Sequence, residues 1–178
     1  WVATERSLAF PYWARIWPSA LALSKFLIGK PDLYSGKTVI ELAAGVGLPS
    51  LVVARLAARV ISSDYHQDAV DTIRKSVQYN RYTNMEVLQL DWNCLPSDLN
   101  GDLLLLSDIN YDPAAFGQLE LLLKLFIALG TTILLSTPQR LMAKPFINAI
   151  DDYIKEQENI SLFHQNAQTE ISILLLKK

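Results

Sequence analysis

The chain has 178 residues, of which 51% are hydrophobic and 19% are charged. This composition is typical of one folded domain and excludes a disordered chain. The formal net charge of −2 gives no overall basic field that would hold a phosphate backbone, so we expect no nucleic-acid partner. No apolar run reaches the roughly eighteen residues that span a bilayer, so we expect no membrane partner either.

The single cysteine, Cys94, excludes an intrachain disulfide and is typical of a reducing compartment. We therefore expect a cytoplasmic location. Because the sequence begins at Trp1 rather than methionine, a mitochondrial location follows instead if a leader precedes it. The two histidines, His66 and His164, have no partners at metal-ligand spacing, so no metal site is predicted. Nothing in the sequence indicates an oligomeric state.

The first predicted element is an N-terminal helix that starts at Pro18 and ends at Gly29. Proline is favoured in the first turn of a helix and glycine at its end. A cluster of four aromatic residues lies just before this helix: Phe10, Tyr12, Trp13 and Trp17. We interpret residues 1–36 as an aromatic segment and a helix that pack on a sheet formed by residues 37–178, all within one domain.

Short apolar strands and helices alternate in the middle of the chain. The predicted strands are 37–42, 59–64, 85–90, 102–107 and 131–136, and the predicted helices are 48–58, 67–80 and 113–129. Strands that alternate with helices form a parallel sheet covered on both faces, which is an α/β, Rossmann-like fold.

The end of the chain departs from this alternation. We predict a helix near 143–158, followed by two strands within "ISLFHQN" and "EISILLLKK". The gap between these strands is too short for a crossover helix, so they are expected to form a hairpin. The sheet should therefore be mostly parallel with a C-terminal antiparallel hairpin.

The first strand runs into a loop of small residues, "VIELAAGVGLPS" (39–50). Ligands of open α/β sheets bind beyond the carboxyl ends of the strands, and glycines such as Gly45 and Gly47 let a ligand approach the backbone. Two glycines alone do not distinguish a binding loop from a tight turn.

Four successive strands end in or near an acid: Glu41, Asp64, Asp91 and Asp108. A single acid in such a position is commonly a helix cap. Four on one edge of a sheet indicate a binding site, in which Asp64 can accept hydrogen bonds from ribose hydroxyls. Asp91 can accept one from an adenine amino group, and Trp92 can cover the ring.

Two cofactors fit a ribose-binding acid. A dinucleotide requires a helix N-terminus without nearby negative charge and a third glycine, whereas Ser50 occupies that third position and Glu41 stands close by. Carboxylates stabilise the ammonium and sulfonium charges of S-adenosylmethionine. The acids therefore favour S-adenosylmethionine over NAD.

Several segments, in this order along the chain, resemble the motifs of seven-β-strand S-adenosylmethionine-dependent methyltransferases: "ELAAGVGLPSLVVA", "SSDYHQDAV", "LDW" and "DINY". The last segment resembles the D-x-x-Y motif that lysine methyltransferases carry after the fourth strand. "PYWARIWPSALALSKFL" resembles their N-terminal segment. The resemblance extends from about Tyr12 to the end. It is greatest to the electron-transfer flavoprotein β-subunit lysine methyltransferases and their bacterial relatives, and it implies a seven-stranded sheet.

The resemblance also implies roles for individual residues. Asp108 and Tyr111 would form the acceptor site, as the D-x-x-Y pair. The methionine end of the cofactor would contact the glycine loop, Asp64 would hold the ribose, Asp91 and Trp92 would frame the adenine, and Trp17 would pack on the cofactor. The expected cofactor-binding residues are therefore Trp17, Glu41, Ala43, Gly45, Gly47, Asp64, Asp91 and Trp92. Ala43 stands where the family usually has glycine.

The function expected on these grounds is S-adenosylmethionine-dependent N-methylation of a lysine side chain in a protein substrate. Asp108 would orient the amine rather than act as a base, because an ordinary carboxylate is far less basic than an amine. A small-molecule N-methyltransferase remains an alternative, and an NAD-binding dehydrogenase or a non-catalytic scaffold is less favoured. A nucleic-acid amino-methyltransferase would carry Pro-Pro after the fourth strand, which "DINYDP" lacks. Arg140 could reach a substrate, but we favour a solvated side chain.

Overall fold

A computed structural model of the chain describes residues 11–178, so Phe10 lies outside the described residues. Seven strands form one sheet: β1 (Thr38–Leu42), β2 (Arg59–Asp64), β3 (Met85–Gln89), β4 (Leu103–Ser107), β5 (Thr132–Pro138), β6 (Ile154–His164) and β7 (Ala167–Leu176). Their spatial order is β3-β2-β1-β4-β5-β7-β6. The α-helices are α1 (Pro18–Gly29), α2 (Leu48–Val53), α3 (Gln67–Asn80), α4 (Phe116–Ala128) and α5 (Lys144–Ala149).

Strands β1 to β5 pair in parallel, and β7 runs antiparallel to both of its neighbours, β5 and β6. The predicted α/β fold with a mostly parallel sheet and a C-terminal hairpin is therefore confirmed. The hairpin turn consists of Gln165 and Asn166, with φ of 49° and 63°. Positive φ at both positions matches the twist of the two strands.

Helices cover both faces of the sheet, because successive residues of a buried strand point to opposite faces. In β4, Leu103 and Leu105 belong to the cluster on the side of α1, α2 and α3. Leu104 and Leu106 belong to the cluster on the side of α4 and α5. All four are at most 1% exposed, so both clusters exclude water. Within residues 11–178, no helix is both long and apolar enough to cross a membrane.

The helix predicted near 143–158 is wrong over most of its length. Helix α5 ends at Ala149, and β6 begins at Ile154. Residues 155–159 of β6 are exposed, because β6 is the edge strand and only β7 pairs with it. Their polar side chains give no alternating apolar signal, and pairing with β7 overrides their intrinsic preference.

Helix α2 is also shorter than the predicted 48–58. It ends at Val53, where the chain turns into β2. The Asn84 side-chain amide donates hydrogen bonds to the carbonyls of Ala54 and Ala57 at 2.9 and 2.8 Å. These bonds satisfy carbonyls that a continued helix would have used within itself.

The strand order places a topological switch between β1 and β4. From β1 the chain moves to β2 and β3 on one side, and then crosses to β4 on the other. The loops after β1 and β4 therefore diverge and leave a crevice at the carboxyl edge of the sheet. This crevice is where the glycine loop and Asp108 lie.

Candidate active site

The four predicted acids lie side by side on the carboxyl edge of the sheet. Strands β3, β2, β1 and β4 are consecutive neighbours, so their acids follow one another along the edge: Asp91, Asp64, Glu41 and Asp108. Neighbouring strands are about 4.8 Å apart, so the row spans about 15 Å. We call this row the acidic rim.

The glycine loop adopts a backbone conformation that favours glycine. Gly45 and Gly47 have φ of 57° and 72°, values that L side chains rarely adopt. A Cβ atom on Gly45 would lie 3.1 Å from the carbonyl oxygen of Trp13, and one on Gly47 would lie 3.0 Å from Ile73. Both glycines are thus required by conformation and by close packing.

Ala43 shares this left-handed conformation, with φ of 53°. An alanine in this region costs about 1–2 kcal/mol, because its Cβ crowds the following carbonyl. The backbone at position 43 therefore has a conformation that suits glycine, and the alanine side chain makes this conformation strained.

Glu41 is 1% exposed and faces the start of α2 rather than open solvent. Its Oε2 accepts hydrogen bonds from the backbone N–H of Ser50, at 2.9 Å, and from the Ser50 hydroxyl. Within the described residues, nothing donates to Oε1. Burial raises the pKa of Glu41 to about 8 against the opposing effect of Ser50, so the carboxyl is largely protonated at neutral pH.

Asp64 connects the glycine loop to the end of β2. Its Oδ2 accepts from the Gly45 N–H and its Oδ1 from the His66 N–H, both at 2.8 Å. Each carboxylate oxygen has two lone-pair sites, so one site on each remains open for a ligand. The His66 ring stacks on Trp13, with centroids 5.6 Å apart, which places the N-terminal segment over this part of the rim.

Asp91 and Trp92 lie at the β3 end of the acidic rim, in the loop that follows the strand. Asp91 Oδ1 accepts from the backbone N–H and side-chain amide of Asn93, at 2.9 and 2.8 Å. Trp92 is partly buried against the core cluster beneath the sheet. An acid beside an indole at this position has the composition expected of an adenine site, and their assignment stays a prediction.

Asp108 forms an ion pair that the sequence did not predict. Arg140, in the loop after β5, donates from Nη1 to Oδ1 at 2.5 Å and from Nη2 to Oδ2 at 3.0 Å. Asp108 is 8% exposed, and its φ is 56°. Burial raises the pKa of this carboxyl, and the Arg140 guanidinium opposes that effect. The interpretation of Arg140 as a solvated side chain is therefore wrong.

Tyr111 lies in the same loop as Asp108 and is 65% exposed, so its ring is available to a substrate. Between them, Asn110 is fully buried, and neither polar atom of its amide has a partner among the described residues. Asp112 then caps the following turn by accepting from the Ala114 N–H at 2.9 Å. Sequence reasoning missed Asn110, because an asparagine after a strand usually lies in an exposed turn.

Trp17 immediately precedes α1. Its Nε1 donates to the Tyr12 carbonyl at 3.0 Å, and the Arg15 guanidinium lies 4.6 Å from its ring centroid. Two residues later, the Ser19 carbonyl accepts from the Ser136 hydroxyl of β5 at 2.8 Å. The contact of Trp17 with a cofactor stays a prediction.

Within residues 11–178, no group of three or more histidine, cysteine, aspartate or glutamate side chains is arranged to hold a metal ion. The rim acids instead accept hydrogen bonds from neighbouring N–H groups and, at Asp108, from a guanidinium. Their remaining lone pairs suit an organic ligand with hydroxyl, amino or cationic groups.

Solved structures with a similar fold include two methyltransferases. The N-methyltransferase NodS from Bradyrhizobium japonicum, in complex with S-adenosyl-L-homocysteine, superposes with a TM-score of 0.66 at 12% identity, over 89% of this chain and 84% of that chain. The tRNA (m1A58) methyltransferase TrmI from Aquifex aeolicus gives 0.65 at 15% identity, over 93% and 71%. These similarities establish the methyltransferase fold.

Relatives that are similar in sequence indicate a narrower class of methyltransferase than the fold does. The electron transfer flavoprotein beta subunit lysine methyltransferase of Homo sapiens is 32% identical over 132 residues, covering 73% of this chain and 50% of that protein. The histone-arginine methyltransferase METTL23 of Mus musculus is 32% identical over 121 residues, covering 65% and 48%. The chain thus spans about half the length of these relatives.

The family model described as lysine methyltransferase matches residues 9–156. The matched range contains the glycine loop, the whole acidic rim, Tyr111 and Arg140. With its seven-stranded sheet and this site at the carboxyl edge, the chain belongs to the lysine methyltransferase family.

Proposed function

We propose that this protein is an S-adenosylmethionine-dependent N-methyltransferase that acts on a lysine side chain of a protein substrate. The observation that carries the proposal is the position of Asp108. It is a buried carboxylate at the end of β4, across the β1–β4 crevice from the glycine loop. A methyl donor on one side and an amine on the other would meet there.

The described residues fit S-adenosylmethionine. The loop at Gly45 and Gly47 presents backbone without side chains, and Asp64 retains lone pairs for ribose hydroxyls. Glu41 offers an unpaired buried oxygen, Oε1, beside the same loop. A cationic ligand would favour the ionised form of that carboxyl and so offset its burial.

Methyl transfer to nitrogen requires mainly that the reacting atoms are positioned in line. When bound, S-adenosylmethionine supplies a methyl group whose carbon–sulfur bond breaks as the lone pair of the acceptor nitrogen forms the new carbon–nitrogen bond. Asp108 accepts a hydrogen bond from the acceptor amine and thereby orients its lone pair. Tyr111 contacts the acceptor side chain and excludes water, which favours the neutral amine. The displaced proton passes to solvent.

Lysine suits the acceptor site better than arginine, although the curated relatives include enzymes named for each. A guanidinium commonly binds a carboxylate through two parallel hydrogen bonds, and Arg140 already makes both of these with Asp108. A primary amine needs only one of the remaining lone pairs. Lysine-bearing proteins are therefore the favoured substrates, and free small-molecule amines are the main alternative.

The partners and location that we propose follow from composition. A net charge of −2 argues against a nucleic-acid substrate, even though a tRNA methyltransferase shares the fold. The single cysteine, Cys94, is free and exposed, which suits a reducing compartment such as the cytoplasm.

The test is transfer of labelled methyl groups. The protein is incubated with methyl-labelled S-adenosylmethionine and a cell extract, and in parallel with a mixture of free amines. We expect label on a protein, at a lysine identified by mass spectrometry. Label on arginine or only on free amines would contradict the proposed acceptor, and no transfer in either reaction would contradict the activity.

Asp108→Asn is the matched control for this assay. Asparagine has the same shape and tolerates the left-handed backbone that Asp108 adopts. We expect this variant to bind S-adenosyl-L-homocysteine as the wild type does but to transfer label at least about 100-fold more slowly, because it lacks the charge that orients the amine. Unchanged transfer would remove Asp108 from the site.

A further inference from the structure

We infer that Arg140 is a positioning residue for Asp108. Its guanidinium fixes the carboxylate toward the acceptor nitrogen and balances its charge, so that the amine binds in its neutral, nucleophilic form. This inference rests on the proposed function and adds a second residue to the acceptor site.

The backbone holds both partners firmly. The Asp108 N–H donates to the Ser136 carbonyl at 2.8 Å, which continues the β4–β5 pairing by one residue. The Arg140 N–H donates to the Pro138 carbonyl at 2.8 Å, and the Arg140 carbonyl accepts from the Ala143 N–H at 3.1 Å. Two neighbouring strand ends thus set the distance between the carboxylate and the guanidinium.

The geometry of the pair leaves room for an acceptor. A carboxylate has about four lone-pair sites, and a guanidinium bound through two nitrogens uses two of them. The Asp108 side chain is 8% exposed and the Arg140 side chain 32% exposed. The guanidinium therefore closes one side of the carboxylate and leaves the other to the amine.

Charge balance has a chemical consequence for the acceptor. A lone buried carboxylate would stabilise a lysine as ammonium, which has no lone pair to attack with. A fixed cation beside that carboxylate cancels this effect and favours the free amine. Arg140 is the charged group acting on Asp108 from the facing loop, and Tyr111 and Asp112 are the titratable groups of its own loop.

The experiment compares the wild type, Arg140→Gln and Arg140→Ala with the lysine substrate found by methyl labelling. We expect Arg140→Gln to lower kcat at neutral pH by about 10- to 100-fold, the effect of one lost charge-assisted hydrogen-bond pair. The rising limb of its kcat–pH profile should move to higher pH, because the amine and Asp108 both lose a nearby cation. Substrate KM should be unchanged or lower, since the ammonium form binds at least as well.

Chemical rescue separates positioning from folding. Arg140→Ala leaves a partly exposed space beside Asp108, and millimolar guanidinium should enter it and restore part of the lost kcat. Arg59→Gln is the control, because Arg59 forms an exposed ion pair with Glu86 at 2.6 Å at the amino end of β2, away from the carboxyl edge of the sheet. It should retain the wild-type kcat and pH profile.

Two results would overturn the inference while leaving the proposed function intact. One is an Arg140→Gln variant with wild-type kcat and pH profile. The other is a loss of the same factor at every pH with no recovery in guanidinium, which would indicate a structural role. An inactive wild type would overturn the proposed function and this inference together.

Discussion

At the scale of single residues, Glu41 shows how burial changes what a carboxyl group does. The acidic rim was expected to present negative charge, yet Glu41 faces α2 and has its pKa raised to about 8 by burial. Its role at neutral pH in the free protein is to accept hydrogen bonds from Ser50 at the start of α2. The negative charge accessible at the rim comes mainly from the other acids.

The raised pKa of Glu41 makes stability depend on pH. A carboxyl that binds its proton more tightly in the folded state stabilises the fold fully below its unfolded pKa of 4.5. That contribution is lost as pH rises through about 8. We expect the free energy of unfolding, measured with urea, to fall across this window by a few kcal/mol, since each pKa unit corresponds to about 1.4 kcal/mol.

Glu41→Gln cannot lose a proton, so this variant should lack that part of the pH dependence. The control is Glu158→Gln, which removes an exposed carboxylate on the edge strand β6 and should follow the wild-type curve. Parallel curves for wild type and Glu41→Gln would show that Glu41 is ionised throughout.

Some residues of the site could be predicted from the sequence and others could not. The acids and glycines of the site could be chosen from the sequence because each lies at or shortly after the end of a predicted strand. The Asp108–Arg140 pair could not, because the two residues are 32 positions apart. They meet only because β4 and β5 are neighbours in register.

At the scale of elements, the turn from β1 into α2 is the most constrained part of the fold. Three of its residues, Ala43, Gly45 and Gly47, have positive φ, and the turn carries one side of the site. Glycine adopts positive φ without a steric penalty. The conformational strain of the turn therefore lies at Ala43.

Replacing Ala43 with glycine should relieve that strain. We expect Ala43→Gly to raise the free energy of unfolding by about 1 kcal/mol, equivalent to about 2–4 °C in Tm for a chain of this size. Ala20→Gly in α1 is the control and should lower stability by about 1 kcal/mol, because glycine is unfavourable within a helix. A lower Tm for Ala43→Gly would mean that the turn tolerates alanine without strain.

Elements with strong apolar patterns were predicted well, and α3 has the predicted bounds. The first half of β6 was wrongly predicted as helix because its exposed residues, from Lys155 to Asn159, resemble the polar face of a helix. This segment is a strand because it pairs with β7. The local sequence pattern does not reveal that pairing.

At the scale of the whole molecule, the strand order explains why residues far apart in sequence form one site. The α/β class and the hairpin were predictable from alternation and spacing. The order of the strands was not predicted, because composition and periodicity do not specify which strands are neighbours.

Ligand binding should stabilise the whole domain. A ligand that binds only the native state adds about 2.7 kcal/mol at 100 times its Kd, which corresponds to a Tm increase of about 5–10 °C for a domain of this size. We expect S-adenosyl-L-homocysteine to produce such a shift in thermal unfolding and NAD to produce none. The reverse pattern would favour a dehydrogenase.

Strand β7 has a consequence for how the protein is made. It lies between β5 and β6 although it is the last strand in the chain, and its residues from Ile171 to Leu176 are buried. Until those residues leave the ribosome, the apolar edge of β5 has no partner and can pair with other chains. The sheet can therefore be completed only after synthesis has passed Leu176.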